Sequence, residues 1–257
     1  MNDIFRFFQN MPSAGSIVNN RSFNSNRLES KFLIHKSVLP SLSEILKPSF
    51  QIFENQNSNE LVYQTIYFDT ENLDMFRHHV AGKLPRTKIR IRKYMNSQDT
   101  FLEIKEKDNR SHIQKYRQQI SDYEIIDSKF IQNHSSFSMQ ALRNKIQIDY
   151  HRIAFISSYY SCRLNLDFEI QYNDFHENSF RFNNLIILEI KYTNYSDAKI
   201  LFNELKKLGI RPSNFSKYCF GLFALNQKVH SRYKRTWSQI LHIENEFSAS
   251  RNTAIES

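Results

Sequence analysis

Short runs of alternating charged and apolar residues are the feature of this sequence that could do chemistry. In Lys88-Ile89-Arg90-Ile91-Arg92, three cations recur at every second position. Successive side chains of a β-strand point to opposite faces, so the three cations would share one face and the two isoleucines the other. Lys and Arg bind phosphate oxygens, Arg through paired hydrogen bonds and Lys as a point charge. One such strand alone would equally fit a sheet face turned to solvent.

Further segments repeat the alternation, which favours an enclosed site over a solvated face. Unpaired ions are costly to bury, but around a water-filled tunnel the charges of several strands could neutralise one another while the apolar faces pack outward against helices. We therefore predict an α+β fold in which about eight antiparallel strands form a barrel with a charged interior and helices packed outside. The segments are Arg27-x-Glu29-x-Lys31, Glu103-x-Lys105-x-Lys107, Lys115 with Arg117, Arg163-x-Asn165-x-Asp167 and Glu189-x-Lys191.

The overall composition narrows the ligand and the location. The formal net charge of +9 favours an anionic partner, which could be a nucleic acid, an acidic membrane surface or a phosphorylated small molecule. With 4 glycines in the chain, a glycine-rich phosphate loop is not available, so side chains would have to hold phosphate. The two cysteines, Cys162 and Cys219, indicate no disulfide framework, and no apolar run reaches membrane-spanning length. These features predict a reduced, cytoplasmic protein without a transmembrane segment.

Composition also predicts how the chain is organised. Residues 1–25 and 229–257 are polar and lack periodicity, which predicts a flexible N-terminal flank and a loosely ordered polar C-terminal tail around a tunnel domain at 26–228. Helix-ending signals at Pro48, Gly82 and Gly209 contribute to the prediction of four helices. These helices are Lys36–Leu46, Asn72–Ala81, Ser196–Leu208 and Phe215–Asn226.

Three further patterns have structural interpretations beside the chemical ones. The adjacent residues His78 and His79 are too closely spaced for both rings to bind one metal ion. The segment Tyr67-Phe68-Asp69-Thr70 is typical of a packed strand end, with Asp69 or Thr70 capping the helix that follows. Asp167 could bind a metal ion or equally pair with a neighbouring cation, and Glu103 has the same two alternatives.

Nine motifs, in the family's order from Arg27 to Leu225, resemble the catalytic domain of the vacuolar transporter chaperone (VTC) polyphosphate polymerases. That family is a branch of the triphosphate tunnel metalloenzymes. The sequence departs from the family pattern at Phe32, where Tyr is usual, and at Asn165, where Thr is common, and neither change removes a charge. The motifs are Arg27-x-Glu29-x-Lys31, Tyr67-Phe68-Asp69-Thr70, Lys88-x-Arg90-x-Arg92, Leu102-Glu103-Ile104-Lys105, Lys115 with Arg117, Tyr150-x-Arg152-x-Ala154-Phe155, Arg163-x-Asn165-x-Asp167, Leu188-Glu189-Ile190-Lys191 and Phe215-Ser216-Lys217-Tyr218.

The resemblance implies a role for each matching residue. It implies a tunnel that binds ATP and polyphosphate, with Glu189 holding a divalent metal ion, Mn²⁺ or Mg²⁺. The implied catalytic cations are Arg90, Arg92, Lys105, Lys115, Arg152 and Lys217, and the implied further phosphate contacts are Lys31, Lys88, Arg163, Lys191 and Ser216.

The predicted function is metal-dependent transfer of the ATP γ-phosphate to a growing polyphosphate chain. The first alternative is a triphosphatase of the same fold, because the same cations and metal ion would serve water as the acceptor. The second is a non-catalytic polyphosphate-binding module, and the presence of Glu189 weighs against it. The sequence contains no basic face interleaved with aromatic residues that could recognise bases, so no specific nucleic-acid partner is predicted. A membrane-protein partner and the oligomeric state are left open.

Overall fold

The alternating segments form one large sheet, accompanied by six α-helices among the described residues. The structure is a computed structural model, which describes residues 3–14, 28–54, 58–110, 112–121, 126–159, 161–225 and 233–252. Its strands are β1 (Ser13–Ala14), β2 (Leu28–His35), β3 (Phe50–Phe53), β4 (Leu61–Thr70), β5 (Arg86–Tyr94), β6 (Thr100–Lys107), β7 (Ile113–Ile120), β8 (Leu142–Ser157), β9 (Cys162–Asn173), β10 (Ser179–Arg181) and β11 (Leu185–Tyr192). Its helices are α1 (Leu39–Leu46), α2 (Asp74–Ala81), α3 (Ser128–His134), α4 (Tyr195–Lys207), α5 (Lys217–Leu225) and α6 (Lys234–Asn252), with short 3-10 turns at Phe5–Phe7, Lys36–Val38 and Met139–Ala141.

The sheet is antiparallel along its whole main path. The strands follow the order β2-β11-β9-β8-β4-β5-β6-β7, β3 adds to β8, and β10 adds to β9. Among the described strands, only the short β1 pairs in parallel, with β3. The two end strands of this path, β2 and β7, do not pair with each other in the part of the chain that the structure describes. The predicted α+β class and antiparallel sheet are confirmed, whereas hydrogen-bonded closure into a barrel is not seen among these strands.

Alternation along the strands separates a charged side of the sheet from an apolar one. Ile89 and Ile91 of β5 are buried at 0% and 1% exposure, whereas Lys88, Arg90 and Arg92 point to the opposite side. We call the side that carries these three cations the charged face. The two isoleucines pack with apolar residues of β6 and α3 on the other side of the sheet. The local period of two therefore predicted the two faces correctly.

Helices α1 and α4 cover the apolar side of β2, β9 and β11. Leu39 and Leu42 of α1 and Leu201 and Leu205 of α4 are buried in the same cluster as Phe32 of β2. The leucines recur at three- and four-residue spacing, so each helix presents one apolar stripe to the sheet. The prediction that the apolar strand faces pack outward against helices is confirmed here.

Helix α5 is different, because it lies on the charged side of the sheet and not outside. A Cβ atom added at Gly221 would overlap the side chains of Tyr172 and Ile146, so the helix rests directly on β9 and β8. Ile146 points to the same side of β8 as Tyr150, and the ring of Tyr150 lies 4.7 Å from Nζ of Lys217 at the start of α5. A helix that is apolar on nearly all sides has to be buried all round, which an outer position would not allow.

The four predicted helices are confirmed, with small shifts at their ends; Asn226 lies outside the described residues. Asp69 caps α2 as predicted, since its carboxylate accepts hydrogen bonds from the backbone N–H groups of Met75 and Phe76, both at 2.9 Å. Gly82 follows α2 with a φ of 71°, a left-handed conformation that glycine adopts without a steric penalty.

The prediction of a flexible N-terminal flank is wrong for residues 3–14. Phe8 is fully buried, and its ring centre lies 5.0 Å from that of Phe155 in β8. Ser13 and Ala14 pair with β3. The aromatic residues of this segment therefore pack into the core, which the mean polarity of the segment did not predict. Residues 15–27, including Arg27 of the first motif, lie outside the described residues.

The prediction of a loosely ordered C-terminal tail is wrong for residues 234–252. Ile240 and Ile243 of α6 are buried against the sheet and α5. The ring centre of Trp237 lies 5.8 Å from that of Phe220 in α5. The carboxylate of Glu244 accepts hydrogen bonds from three consecutive backbone N–H groups at the start of β11. Apolar residues three positions apart form a narrow stripe, which is sufficient for packing although the segment is polar on average.

Candidate functional site

The predicted site residues all lie on the charged face or at the start of α5. Because seven strands of the sheet each contribute one to three of them, the structure brings together residues as far apart in the sequence as Lys31 and Lys217. Arg163 lies opposite Lys191 in the register of β9 and β11, and its guanidinium is 4.9 Å from the ring of Phe53. The positions are Lys31 on β2, Lys88, Arg90 and Arg92 on β5, Lys105 on β6, Lys115 on β7, Arg152 on β8, Arg163 on β9, Glu189 and Lys191 on β11, and Ser216 and Lys217 at the start of α5.

The two ends of the sheet approach each other across the charged face. Lys105 of β6 interacts electrostatically with Glu29 and Lys31 of β2, although β6 and β2 lie near opposite ends of the strand order. Lys115 of β7 interacts in the same way with Lys191 of β11. Coulombic interactions weaken with distance, so the side chains of the end strands lie close to one another. The sheet therefore curves, and its charged face is concave.

A buried carboxylate holds two of the predicted catalytic cations together. Arg152 donates hydrogen bonds to Asp167 from Nε at 2.5 Å and from Nη2 at 2.9 Å, and Lys217 forms an ion pair with the same carboxylate. Burial raises the pKa of Asp167, but the charges of Arg152 and Lys217 outweigh burial and lower it. Of the two alternatives left open for Asp167, the structure supports pairing with neighbouring cations.

Glu103 of β6 has the same function for the arginines of β5. Its carboxylate accepts a hydrogen bond from Nε of Arg90 at 2.7 Å, and nitrogens of Arg92 and Arg117 lie 3.8 Å and 3.7 Å away. Burial raises the pKa of Glu103, but Arg90 and Arg92 lower it to about 2. The strand register decides this role, because it places Glu103 directly between Arg90 and Arg117.

Tyr67 contributes to the site in a way that the sequence did not indicate. Its hydroxyl accepts a hydrogen bond from Nη1 of Arg90 at 2.9 Å. Burial raises the pKa of Tyr67, but the charges of Arg90, Arg92 and Lys88 outweigh burial and lower it to about 8. Tyr63, four positions earlier on the same strand face, has its ring centre 5.0 Å from the guanidinium of Arg92. The even spacing of the two tyrosines, which places them on one strand face, was the sequence feature that could have predicted their place in the site.

Glu189, the implied metal ligand, belongs to a group of four charged residues on β2 and β11. The register places Glu189 opposite Lys31 and Lys191 opposite Glu29. Nζ of Lys191 lies 2.6 Å from Oε1 of Glu189, and Lys31 forms an ion pair with Glu29. Burial raises the pKa of Glu189, but Lys191 and Lys31 lower it to well below its usual range. Glu189 is therefore anionic at neutral pH, as a metal ligand has to be.

Lys88, Lys105 and Lys115 form a row of like charges across three neighbouring strands, which we call the lysine row. Lys105 is directly opposite both other lysines, an arrangement that destabilises a sheet in the absence of an anion. Burial lowers the pKa of Lys105, Glu29 partly opposes this, and Lys88, Lys31 and Lys115 lower it further, to about 7. The adjacent row, by contrast, has Glu103 between its arginines. A bound anion at the lysine row would thus relieve repulsion among the three lysines.

The sequence matches a known protein family over most of its length. A family model described as VTC domain matches residues 26–226. This chain belongs to the VTC domain family. The VTC domain is part of the triphosphate tunnel family, whose members are usually enzymes that act on triphosphates. A search against curated protein sequences found no significant match.

One solved structure shows the fold of this VTC domain at low sequence identity, and a second is less similar. A candidate adenylyl cyclase from Hippeastrum, described as having a dominant triphosphatase activity, matches with a TM-score of 0.50 and 17% identity, covering 79% of this chain and 100% of its own. A candidate adenylate cyclase from Bacillus halodurans matches with a TM-score of 0.47 and 14% identity, covering 74% of this chain and 95% of its own. The first of these assigns the CYTH-like, triphosphate tunnel fold to the chain.

The residues of the VTC domain fit a divalent metal ion that is shared with a phosphate ligand. Across the described ranges of the chain, no group of three or more His, Cys, Asp and Glu side chains could hold a metal ion without other ligands. Mg²⁺ is usually bound through one or two carboxylates together with substrate phosphates and water. The anionic Glu189 on the concave face meets this requirement.

The α-helices among the described residues include none with the length and apolar character of a membrane span.

Proposed function

We propose that this VTC domain is a metal-dependent polyphosphate polymerase, which transfers the γ-phosphate of ATP to a growing polyphosphate chain. The observation that carries the proposal is the lysine row, which faces the concave side of the sheet with no carboxylate between its members. A chain of phosphates supplies a regular series of negative charges along such a row. We further propose that the strands enclose this chain in a tunnel whose wall is the charged face.

The cations would neutralise charge on the transferred phosphoryl group. Phosphoryl transfer depends mainly on in-line positioning and on charge stabilisation, so no protein nucleophile is needed. Arg90 and Arg152 are held by carboxylates at their inner nitrogens, which orients the two guanidinium planes before phosphate binds. Lys217 stands at the N-terminus of α5, where the helix dipole also favours an anion.

In the proposed step, an oxygen of the acceptor phosphate forms a bond with the γ-phosphorus of ATP. The bond between that phosphorus and the β–γ bridging oxygen breaks, and ADP leaves with the bridging oxygen. A divalent metal ion held by Glu189 would offset negative charge on the phosphate oxygens. The positive charge of the lysine row would hold the lengthened chain in place for the next transfer.

The carboxylates of the charged face are poor candidates for a base that would activate water. The pKa values of Glu103, Asp167 and Glu189 are all lowered by the cations with which each is paired, although burial alone would raise them. Such carboxylates are weak general bases. Transfer to a phosphate acceptor does not depend on such a base, because the acceptor is already anionic at neutral pH.

The proposal is tested by incubating the purified protein with ATP and Mn²⁺ or Mg²⁺ and separating the products on a polyacrylamide gel. We expect a ladder of polyphosphates that an exopolyphosphatase removes. The matched control is the double variant Arg90→Ala/Arg92→Ala, which should give no ladder. Consumption of ATP by the unmodified protein without any ladder would contradict a polymerase.

A triphosphatase is the second candidate function, because the Hippeastrum protein with this fold is described as having a dominant triphosphatase activity. The same cations could stabilise the γ-phosphate during attack by water. The two functions differ in their products. A hydrolase releases one free phosphate for each ADP formed, whereas a polymerase forms ADP with much less free phosphate. Measuring ADP and free phosphate in the same reaction distinguishes them.

A further inference from the structure

His79, in the last turn of α2, has a buried ring nitrogen that the fold does not use. Its Nδ1 atom is buried and makes no hydrogen bond within the described part of the chain. A buried polar atom left without a partner is destabilising, so native proteins rarely leave one unpaired. A ligand that binds to the folded protein can supply the missing partner.

The charges that act on His79 are those of cations from three strands. Burial lowers the pKa of His79, and Lys88 and Arg86 of β5, Lys31 of β2 and Lys105 of β6 lower it further, to about 2. The imidazole is therefore neutral at neutral pH and carries one N–H group. Lysine and arginine side chains have donors and no acceptor, so none of these four neighbours could accept a hydrogen bond from an Nδ1–H group.

The position of α2 places His79 beside the lysine row. Phe76 and Val80, on the same side of the helix, pack in one cluster with Tyr67 of β4 and Tyr218 of α5. Immediately next to this cluster, Lys88 donates a hydrogen bond to Ser216 at 3.0 Å. The ring of His79 therefore stands where α2 meets the charged face, at the end of the row formed by Lys88, Lys105 and Lys115.

We propose that His79 is a further ligand of the phosphate chain and donates a hydrogen bond from Nδ1 to a phosphate oxygen held by the lysine row. This inference rests on the proposed binding of polyphosphate. A phosphate oxygen supplies the acceptor that the cationic surroundings lack. A neutral donor also binds phosphate without adding a further positive charge to the repulsion among the lysines.

Isothermal titration calorimetry with inorganic tripolyphosphate, at neutral pH and without metal ions, tests the inference. Replacing the ring in His79→Phe should weaken binding roughly tenfold, which corresponds to about 1.4 kcal/mol. His79→Asn should bind within about twofold of the unmodified protein, because the asparagine amide nitrogen can occupy the position of Nδ1. The matched control is His78→Phe, a change of the preceding residue on the same helix, and it should bind tripolyphosphate as the unmodified protein does.

The outcomes separate this inference from the proposed function. If the unmodified protein does not bind tripolyphosphate, the proposed binding of the phosphate chain by the lysine row is wrong, and the inference fails with it. If the unmodified protein and His79→Phe bind equally well, only the role of His79 is wrong. Equal weakening in His79→Phe and His79→Asn, or weakening in His78→Phe, would indicate a structural effect of the helix and would also contradict the inference. Thermal unfolding of each variant by circular dichroism shows whether it is folded.

Discussion

Arg152 and Asp167 are joined by two hydrogen bonds, from Nε at 2.5 Å and from Nη2 at 2.9 Å, and the carboxylate has no exposure to solvent. The register of β8 and β9 places the two residues directly opposite each other. Two bonds to one carboxylate fix the plane of the guanidinium, and the terminal Nη1 group makes no hydrogen bond to any described residue, so it could bind a ligand. A cation prepared in this way loses little conformational freedom when phosphate binds.

Asp167→Asn should destabilise the fold. The substitution leaves Arg152 and Lys217 buried without their shared negative charge, and removal of one partner from a buried ion pair typically costs about 3–5 kcal/mol. Denaturant unfolding measures the change in the free energy of unfolding. The matched control is Glu44→Gln in the exposed Lys47–Glu44 pair of α1, which should cost less than about 1 kcal/mol. Similar costs for the two variants would contradict the structural role assigned to Asp167.

The affinity for tripolyphosphate should fall as the pH rises through about 7. Burial and the neighbouring lysines lower the pKa of Lys105 to about 7 in the free protein. A bound anion favours the protonated amine and raises that pKa, so binding takes up a proton. Affinity is therefore highest when the proton is already present, at low pH, and falls by about tenfold between about pH 6 and about pH 8.

Lys105→Arg tests the assignment of this pH dependence, because arginine stays protonated over the whole range. The variant should bind tripolyphosphate with a weaker pH dependence than the unmodified protein. Titration of the ligand itself is the same in both experiments and cancels in the comparison. Lys107→Arg, two positions further along β6, is the control and should retain the original profile. An unchanged profile in Lys105→Arg would show that another group is responsible.

Glu189→Gln should separate metal-dependent synthesis from binding of the phosphate chain. Loss of the carboxylate should reduce ATP-dependent formation of polyphosphate by about a hundredfold, since changes at metal sites cost factors of this order. Binding of tripolyphosphate without metal should not become weaker, because the substitution removes a negative charge beside Lys31 and Lys191. Gel analysis and calorimetry measure the two quantities. Full synthesis by Glu189→Gln would show that Glu189 does not hold the metal ion.

Gly221→Ala should disturb both the fold and the site through α5. An added Cβ would overlap the side chains of Tyr172 and Ile146, and overpacking of this kind typically costs about 1–3 kcal/mol. The helix would move away from the sheet and carry Lys217 away from Asp167, so tripolyphosphate should also bind less tightly. Thermal unfolding and calorimetry measure the two effects. Ser238→Ala, at a position of α6 away from the site, is a control of similar size and should change stability by less than about 0.5 kcal/mol.

Local patterns in the sequence were sufficient for the parts of the fold that depend on neighbouring residues. The alternation of Lys88, Arg90 and Arg92 with two isoleucines determined a strand with one charged face, because side-chain direction follows from the backbone period alone. Asp69 and Gly82 determined the limits of α2 for a similar reason, since capping depends on groups within a few residues.

Contacts between distant segments were decided only by the tertiary structure. Local sequence periodicity does not predict that Glu103 lies between Arg90 and Arg117 or that Asp167 pairs with Arg152. It also does not predict that α5 lies on the charged face. These features depend on which strands become neighbours and in which register, and that follows from the packing of the whole chain. The sequence by itself therefore determined which residues carry charge on one strand face, and the curvature and pairing of the sheet decided which charges neutralise one another and which, in the lysine row, are left for an anion.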